Sequence, residues 1–250
     1  MNEQLLAYEV LRIINSKPLF WEDHYLRMNK TVFNICGQNI DQNSFKIALK
    51  QKIQTENLLI GNLKIVINIL NNRPDENFEV FVIPHRYPTE DEYRCGVKTL
   101  SFYYERENPE NKIWKQDIRD VVDSLIKEKN VYEVLYLDNN NCFTEGSRSN
   151  LFFIKDNKLY SAPENKILHG VTRKYIIKIA SATGIEVVHE DIPLSKISKF
   201  DSAFISGTSP KILPLSFIDD IEFNVENATL RKLMSEFDLL LDNYLKNLVF

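Results

Sequence analysis

The chain has 250 residues, of which 44% are apolar and 26% are charged, and its formal net charge is -4 at pH 7. This is ordinary globular composition, with enough length for one large domain or two smaller ones. Lys and Arg are scattered, so the charge pattern excludes nucleic acid as a predicted partner. No apolar run reaches the roughly 20 residues that cross a bilayer, so no membrane partner is predicted either.

The three cysteines, Cys36, Cys95 and Cys142, are widely spaced. An odd number at such spacing predicts reduced thiols and favours neither a disulfide framework nor a zinc site. The first residues, MNEQLLAYEV, lack the charged and then apolar pattern of a signal peptide. We therefore expect a cytoplasmic protein without a metal site.

The first 86 residues predict a small α/β domain. The run from Ala7 to Ile14 reads as a strand, and a polar turn leads from it into a helix that carries Leu26 and Val32 among polar positions. A second amphipathic helix is predicted from about Ser44. The β-rich runs NLKIVINIL and FEVFVIPHRY then predict two strands around the turn NNRPDEN.

The polar segment YPTEDEYRCG, residues 87–96, is predicted to be an irregular connector, and residues 97–250 then form a larger domain. VKTLSFYYE predicts a strand and ERENPENK a polar loop. DIRDVVDSLIKEK predicts a helix, because apolar residues recur there at helical spacing. YEVLYLD and SNLFFIK predict a strand pair around a turn that contains Glu145, and KLYSAP a short third strand. A carboxylate in such a turn is either solvated or directed at a ligand.

In the last third of the chain, HGVTRKYIIKIASATG predicts a helix that Gly184 ends. A strand in EVVHEDIPL, a short helix in LSKISKF and a strand in SAFI follow, and ATLRKLMSEFDLLLDNYLKNL predicts a closing helix. Segregated strands and helices favour an α+β or irregular α/β fold. No Gly-x-Gly-x-x-Gly follows a strand, which argues against a Rossmann dinucleotide site.

Two segments could bind an anion. In LHGVTRKY, Val171 and Thr172 lie at a helix start, where free N–H groups and the helix dipole favour a phosphate. The alternative is that Thr172 is simply an N-cap. In SGTSP, Thr208 and Ser209 follow a strand and could present N–H and hydroxyl groups to an anion, or could form a plain turn.

Cationic residues supply a further set of candidates. His24 and Arg27 lie on one helical face, and Arg27 could form a bidentate pair with a phosphate or could be solvated. Lys112 and Lys115 flank Trp114. Lysines in such positions are usually solvated, but burial beside an apolar or cationic site lowers the pKa of a lysine and makes the amine nucleophilic.

The order HxxR, lysine, TEGSRSN, LxGxTR and GTSP resembles the class IV pyridoxal-phosphate enzymes, which include branched-chain aminotransferases, D-amino acid aminotransferases and aminodeoxychorismate lyases. The resemblance runs from Tyr8 to about Phe223 and is most specific in TEGSRSNLFFIKDNKLYSAP and ILHGVTRKYI. It implies a two-domain α/β protein of fold type IV. The small N-terminal domain would be residues 1–86 and the larger domain residues 97–250, with pyridoxal 5'-phosphate between them and usually a homodimer.

The resemblance also implies roles for single residues. Lys112 matches the lysine that binds the cofactor covalently, and it is preferred to Lys115 because of the NPENK lead-in. Glu145 matches the acid at the pyridine nitrogen, and Leu168 matches the apolar residue on the ring face. The implied phosphate ligands are Arg27, Val171, Thr172 and Thr208, with Ser209 close enough to substitute. His24 is interpreted as a helix residue that supports Arg27.

Two activities are compatible with this set. The first is an aminotransferase that moves an amino group between an amino acid and a 2-oxo acid, with branched-chain amino acids among the candidates. The second is a 4-amino-4-deoxychorismate lyase that releases pyruvate and 4-aminobenzoate. The aminotransferase is preferred because NNRPDENFEV lacks the Arg-Gly-Tyr-like element of many lyases. Arg73 and Arg86 are either partners for a substrate carboxylate or solvated arginines, and Asp117 replaces the tyrosine of branched-chain members. The complete set disfavours a non-catalytic protein.

Overall fold

The structure is a computed structural model, and it describes residues 4–250. Within these residues the chain divides into two compact units. Unit 1 comprises the described residues up to Arg86, together with Glu110–Lys115 and Leu240–Phe250. Unit 2 comprises Tyr87–Pro109 and Gln116–Leu239. Residues 110–115 and 240–250, which the sequence pattern assigns to the larger domain, thus fold with unit 1.

Unit 1 is built on an antiparallel sheet and two helices. Its strands are β1 (Gln4–Ile14), β2 (Lys17–Pro18), β3 (Ile60–Leu70), β4 (Arg73–Pro74) and β5 (Glu79–Ile83). Its helices are α1 (Trp21–Cys36) and α2 (Gln42–Thr55). β1 and β3 pair along their whole length, and β2, β4 and β5 extend the sheet at its edges. The predicted strands and helices of this part of the chain are therefore present.

One face of this sheet forms the core of unit 1. Leu11, Leu63 and Ile65 are fully buried and belong to one apolar cluster with Val32 of α1 and Leu49 of α2. Successive side chains of a strand point to opposite faces, so the residues between these positions lie on the other face. That second face carries Tyr8, Val10, Lys64 and Val66, and it matters for the chemistry below.

Unit 2 contains a mixed sheet of ten strands within the described residues. They are β6 (Val97–Tyr103), β7 (Glu133–Leu137), β8 (Cys142–Gly146), β9 (Asn150–Lys155), β10 (Lys158–Ser161), β11 (Val187–His189), β12 (Ile192–Pro193), β13 (Ser202–Gly207), β14 (Lys211–Ile218) and β15 (Ile221–Glu222). The helices are α3 (Glu90–Cys95), α4 (Gln116–Lys129), α5 (Val171–Ala182) and the first part of α6 (Ala228–Asn247). Short 3₁₀ helices span Glu164–Lys166 and Leu194–Lys199.

Six of these strands close into a ring in the order β9, β13, β14, β6, β7, β8 and back to β9. The pairs β14–β6 and β6–β7 are parallel, and the other four pairs are antiparallel. Fully buried side chains from several of these strands form one apolar cluster, including Leu135, Phe153, Ile205 and Leu213. This arrangement is the mixed α/β architecture that the sequence predicts.

The segment 87–96 differs from the predicted irregular connector, because it contains helix α3. Thr89 accepts a hydrogen bond from the Glu92 N–H, and the Glu92 carboxylate accepts one from the Thr89 N–H. This reciprocal pair is a capping box, which satisfies the free N–H groups of even a short helix. The Thr-x-x-Glu spacing was the signal for it. No helix among residues 4–250 has the length and apolar character needed to cross a membrane.

Candidate active site

Glu145 lies on strand β8, not in a turn as the sequence pattern suggests. The turn is the three-residue segment 147–149 that follows it. Leu135 faces Gly146, but Leu137 faces Phe143, so β8 has one residue more than β7 over this stretch. Such a bulge changes the face on which the next side chains lie. Phe143 therefore belongs to the apolar cluster of the ring, whereas Glu145 lies opposite Asn150 on the other face.

The Glu145 carboxylate is almost fully buried and accepts hydrogen bonds from three groups. Oε2 lies 3.1 Å from the Leu168 N–H nitrogen and 3.5 Å from Asn150 Nδ2. Oε1 lies 2.9 Å from Nη1 of Arg106. Burial of an ionised carboxylate is costly unless it is paired and hydrogen-bonded, and these partners meet that requirement. The site thus holds a fixed negative charge on the outer face of the ring of strands.

The turn after Glu145 is held by a second buried acid, Glu133 of β7. Its carboxylate accepts hydrogen bonds from Ser147 Oγ at 3.2 Å, from Ser149 Oγ at 3.0 Å and from the Arg148 N–H at 2.5 Å. Burial raises the pKa of Glu133, and these three donors oppose that shift. A Cβ at Gly146 would lie 2.2 Å from Ser149 Oγ. The Ser149 side chain therefore packs so closely on residue 146 that only glycine fits there.

Glu133 was not among the predicted site residues. The signal in the sequence was an acid at the start of an apolar strand in YEVLYL. The Arg148 side chain is not part of this arrangement, because it forms a half-exposed ion pair with Asp123 of α4. The two serines of GSRSN therefore fix the backbone of the turn after Glu145 through their hydrogen bonds to Glu133. Arg148 contributes to the same set of hydrogen bonds through its N–H.

We expect Glu133→Val to lower the free energy of unfolding of unit 2 by about 1–3 kcal/mol, because it leaves the buried Ser149 hydroxyl without this acceptor and also removes the acceptor of the part-buried Ser147 hydroxyl and Arg148 N–H. Urea denaturation followed by circular dichroism measures the change. The matched control is Asp123→Ala, which removes only the surface ion pair with Arg148 and should cost less than about 1 kcal/mol. Equal losses in the two variants would contradict the assigned role of Glu133.

The loop that contacts Glu145 carries Leu168, the predicted ring-face residue. It leads into α5, which begins with two predicted phosphate ligands. Leu168 is buried, and its N–H donates to Glu145 while its carbonyl accepts from Asn150 Nδ2 at 2.8 Å. Gly170 is the N-cap of α5 and makes no side-chain capping hydrogen bond. A Cβ at Gly170 would lie 1.9 Å from Asn150 Oδ1, so glycine is needed for this close packing. Asn150, which sequence reasoning missed, therefore ties the loop to strand β9.

Val171 and Thr172 form the first turn of α5 and are both buried. The first N–H groups of a helix have no partner within the helix and carry the positive end of its dipole. The next residue, Arg173, is also buried and pairs with both oxygens of Glu164 at 2.8 and 3.2 Å. This ion pair joins the first and last residues of the loop 164–173. Thr208 and Ser209 lie half-buried in the turn between β13 and β14.

In unit 1, Arg27 is oriented by a buried carboxylate. Its Nε and Nη2 donate to Glu9 at 2.6 and 2.5 Å, and His24 Nδ1 lies 2.7 Å from the same carboxylate. Burial acts to raise the pKa of Glu9, but the charge and hydrogen bonds of Arg27, together with those of His24, outweigh it and lower the pKa to about 2. Burial, with the charges of Arg27 and Lys112, lowers the pKa of His24 despite Glu9. His24 thus supports Arg27 through Glu9.

Lys112 lies on a segment that is hydrogen-bonded to β1 like a short extra strand. The Tyr8 N–H donates to the Lys112 carbonyl at 3.2 Å, and the Trp114 N–H donates to the Leu6 carbonyl at 2.9 Å. The Lys112 N–H also donates to Thr31 Oγ1 of α1 at 3.2 Å. The Lys112 amine lies 4.8 Å from the centroid of the Tyr8 ring. Lys112 is half-buried and Lys115 is exposed, which supports the preference for Lys112.

Each unit therefore brings together part of the predicted set. In unit 2, Glu145 and Leu168 are in direct contact, and Val171 and Thr172 follow Leu168 through Gly170. In unit 1, Lys112 contacts α1, the helix that carries Arg27. Sequence reasoning missed Glu9, Arg106, Glu133 and Asn150, the residues that hold Arg27 and Glu145 in place.

Comparison with known proteins shows the family of the chain. A model of the family described as amino-transferase class IV matches residues 6–218. The D-alanine aminotransferase of Listeria monocytogenes is 28% identical over 241 residues, covering 86% of this chain and 79% of the relative.

Two solved structures share the fold. The 4-amino-4-deoxychorismate lyase of Pseudomonas aeruginosa has a TM-score of 0.82 at 18% identity, covering 95% of this chain and 91% of that one. The branched-chain amino acid aminotransferase of Escherichia coli has a TM-score of 0.79 at 22% identity, covering 95% and 86%. These likenesses confirm the predicted fold type IV architecture. Since the family match spans most of the sequence, the chain belongs to the class IV aminotransferase family.

Proposed function

We propose that this family member is a pyridoxal-phosphate-dependent aminotransferase that moves an amino group between an amino acid and a 2-oxo acid. The observation that carries the proposal is the buried Glu145 carboxylate, held by the Leu168 N–H and followed within the same loop by the start of α5. A pyridine nitrogen needs a fixed acid beside it, and a phosphate needs N–H donors. Glu145 of β8 offers the acid, and the loop whose Leu168 N–H contacts it leads within three residues to the N–H groups at the start of α5.

When bound, pyridoxal phosphate supplies a ring that accepts the electrons left behind when a proton leaves the substrate Cα. Glu145, as an ionised carboxylate, would keep the ring nitrogen protonated and so favour that electron flow. The Lys112 amine would hold the cofactor covalently and, once the substrate amine has displaced it, would be free to act as the general base for the substrate Cα proton. Leu168 would pack on the ring face. The half-buried position of Lys112, the burial of Glu145 and the family membership support these proposed roles.

The phosphate group would be held by five residues: Arg27, Val171, Thr172, Thr208 and Ser209. Val171 and Thr172 would donate their N–H groups and the Thr172 hydroxyl at the positive end of α5. Thr208 and Ser209 would add donors from the turn that follows β13. Arg27 would contribute its charge, with Glu9 fixing the plane of the guanidinium.

The substrate is proposed from the relatives. A D-alanine aminotransferase aligns with most of the chain, which favours an aminotransferase and makes alanine the first substrate to test. The alternative is a 4-amino-4-deoxychorismate lyase, since a lyase of that name shares the fold with a TM-score of 0.82. Incubation with amino acids should convert the cofactor to its pyridoxamine form, as followed by absorbance. Pyruvate released from aminodeoxychorismate without that conversion would support the lyase instead.

We expect Glu145→Gln to lower kcat by about 10²-fold or more, because a neutral amide stabilises the protonated ring nitrogen less than a carboxylate does, and proton transfer in enzymes typically depends on such groups by about 10²–10⁴-fold. Single-turnover absorbance with alanine measures the step. Cofactor binding should be partly retained, because the phosphate ligands are unchanged. Asp123→Ala serves as a remote surface control. A kcat within a factor of two of the wild-type value would contradict the role of Glu145.

We further propose a cytoplasmic homodimer. The free thiols of Cys36, Cys95 and Cys142 fit a reducing compartment. Large apolar side chains are exposed on unit 1, including Phe33, Leu59 and Phe81 at 51%, 67% and 45% of their full area, and association with a second copy of the chain would cover such side chains. Light scattering after size-exclusion chromatography measures the oligomeric state. A monomer at micromolar concentration would contradict the homodimer.

A further inference from the structure

Two histidines and an arginine surround one carboxylate where the loop 164–173 begins. The Glu164 carboxylate pairs with the Arg173 guanidinium at 2.8 and 3.2 Å. Its Oε2 also lies 3.2 Å from Nε2 of His169, and its Oε1 lies 3.5 Å from Nε2 of His189. A histidine gains its charge near neutral pH, whereas an arginine is always charged. One carboxylate therefore faces one permanent cation and two groups that become cations on protonation.

His189 of β11 contacts both members of the Glu164–Arg173 pair. Its Nδ1 lies 3.4 Å from Nη2 of Arg173. A guanidinium only donates hydrogen bonds, so Nδ1 must accept, and an imidazole nitrogen that accepts carries no proton. The Arg173 side chain therefore fits the neutral form of His189, with the ring proton on Nε2 beside Glu164. Protonation of Nδ1 would place two donors opposite each other.

Arg173 depends on this pairing because it is buried. Only 4% of the residue is exposed, and its Cζ lies 5.9 Å from the centroid of the Phe152 ring. A buried cation is costly unless it is paired and hydrogen-bonded. At neutral pH the charges of Glu164 and Arg173 cancel. When both histidines are protonated, the single negative charge faces three positive charges. Acidification thus deprives Arg173 of an exclusive counter-charge.

The charged groups that face His189 are the two members of that ion pair, and the second histidine lies on the other oxygen of the same carboxylate. The partner of His189 in the neighbouring strand β10 is the uncharged Ser161. Glu190 follows in the chain and is exposed. Glu164 is therefore the carboxylate that a protonated His189 would share with the buried arginine.

The balance of these surroundings favours the neutral imidazole. Burial, followed by the charge of Arg173, lowers the pKa of His189, while Glu164 and the Ala162 carbonyl oppose that shift. The stabilisation that comes with the neutral form is fully present above pH 6.5, the ordinary pKa of histidine. It is lost as the pH falls through the lower pKa of the folded state.

We propose that His189 is a positioning residue that makes the loop 164–173 sensitive to pH, because its protonation separates Arg173 from its partners and loosens the loop. The N–H of Leu168, within this loop, donates to Glu145 at 3.1 Å. Loosening of the loop would therefore reach the candidate active site. The inference concerns the chain whether or not a cofactor binds, so it stands apart from the proposed function.

The competing explanation is that the cluster ties the loop equally well at every pH, with the histidines as passive neighbours. The half-exposed Glu164 would then remain paired with Arg173 on acidification. His169 provides a matched control, because its Nε2 contacts the Glu164 carboxylate and also lies 3.1 Å from the Glu164 carbonyl oxygen. Its loss removes one titrating group from the carboxylate but keeps the hydrogen bond between Arg173 and His189.

The test measures hydrogen–deuterium exchange of the full-length protein by mass spectrometry, as protection factors corrected for the intrinsic exchange rate. The protection of residues 164–173 should fall by roughly tenfold between about pH 8 and about pH 5, the effect of one pKa unit. Helix α2 should change less than about twofold, because it carries no histidine.

His189→Asn supplies an amide oxygen beside Arg173 that accepts a hydrogen bond and does not titrate. This variant should keep the protection of residues 164–173 to within about twofold across the same range, because it removes the titrating group. His169→Asn should keep most of the pH dependence.

Two results would overturn the proposal. One is a wild-type loop whose protection is the same at both pH values, and the other is a His189→Asn loop that loses protection as steeply as the wild type. If that variant does not fold, an NMR titration of the wild-type imidazoles decides. The midpoint of the His189 resonance must then coincide with the pH at which protection of the loop falls, and separate midpoints would reject the assignment. A failure to bind pyridoxal phosphate would overturn the proposed function and leave these results unchanged.

Discussion

Replacing Lys112 with alanine is expected to abolish the visible absorbance band of the bound cofactor and to reduce kcat by at least about 10²–10⁴-fold, the usual contribution of a positioned proton-transfer group. The reason is that one amine is assigned both the covalent link and the proton transfer at the substrate Cα. Lys112 is half-buried on a segment tied to β1, and its amine lies on the Tyr8 ring. Absorbance scans and steady-state kinetics measure the two effects.

Lys115→Ala is the matched control, because Lys115 lies on the same segment but is exposed. It should retain the band and most of the activity. If Lys115→Ala removed the band and Lys112→Ala kept it, the lysine assignment would be wrong. Mass spectrometry of the enzyme reduced with borohydride in the presence of the cofactor would identify the modified lysine directly.

The second large effect is expected from Glu9→Gln, which should lower the free energy of unfolding of unit 1 by about 3–5 kcal/mol. The Glu9 carboxylate is fully buried and accepts from both Arg27 and His24. Its loss removes a charge that is paired with Arg27, whose guanidinium is in a poorly solvated position. Urea denaturation measures the change. Glu110→Gln, which removes an exposed partner of Lys30, should cost less than about 1 kcal/mol.

The same cluster predicts how stability depends on pH. The pKa of Glu9 falls from 4.5 to about 2 on folding, which corresponds to roughly 3 kcal/mol. This stabilisation is fully present above pH 4.5 and is lost as the pH falls toward 2. The lowered pKa of His24 acts in the same direction, because the folded state disfavours its protonated form. The melting temperature of the wild type should therefore fall more steeply below pH 4.5 than the melting temperature of Glu9→Gln.

Most elements of the fold could be predicted from local patterns. The alternation in β1 and β3, the helical spacing in α4 and the glycine after α5 each depend on neighbouring residues in the chain, and the structure has these elements. Where prediction failed, the signal was weak or non-local. The capping box of α3 was present in the sequence but was outweighed by the polar composition around it.

The placement of Glu145 could not be predicted in the same way. Its position on the outer face depends on one extra residue in β8 relative to β7, which is a property of the pairing of two strands. The partners of the carboxylate, Arg106 and Asn150, come from other parts of the chain. The sequence motif indicated that an acid was needed there, but not which groups hold it.

The sequence by itself determined the family and the candidate residues, because the motifs around Glu145, Thr172 and Thr208 are contiguous and their order along the chain is specific. Only the tertiary structure decided how those residues are held. Glu9 with Arg27, Glu133 with the turn 147–149, and Lys64 with Trp114 are all contacts between residues distant in the chain. The physical reason is that charge and burial act through space, so a buried acid or a shared aromatic ring becomes visible only once the strands are paired.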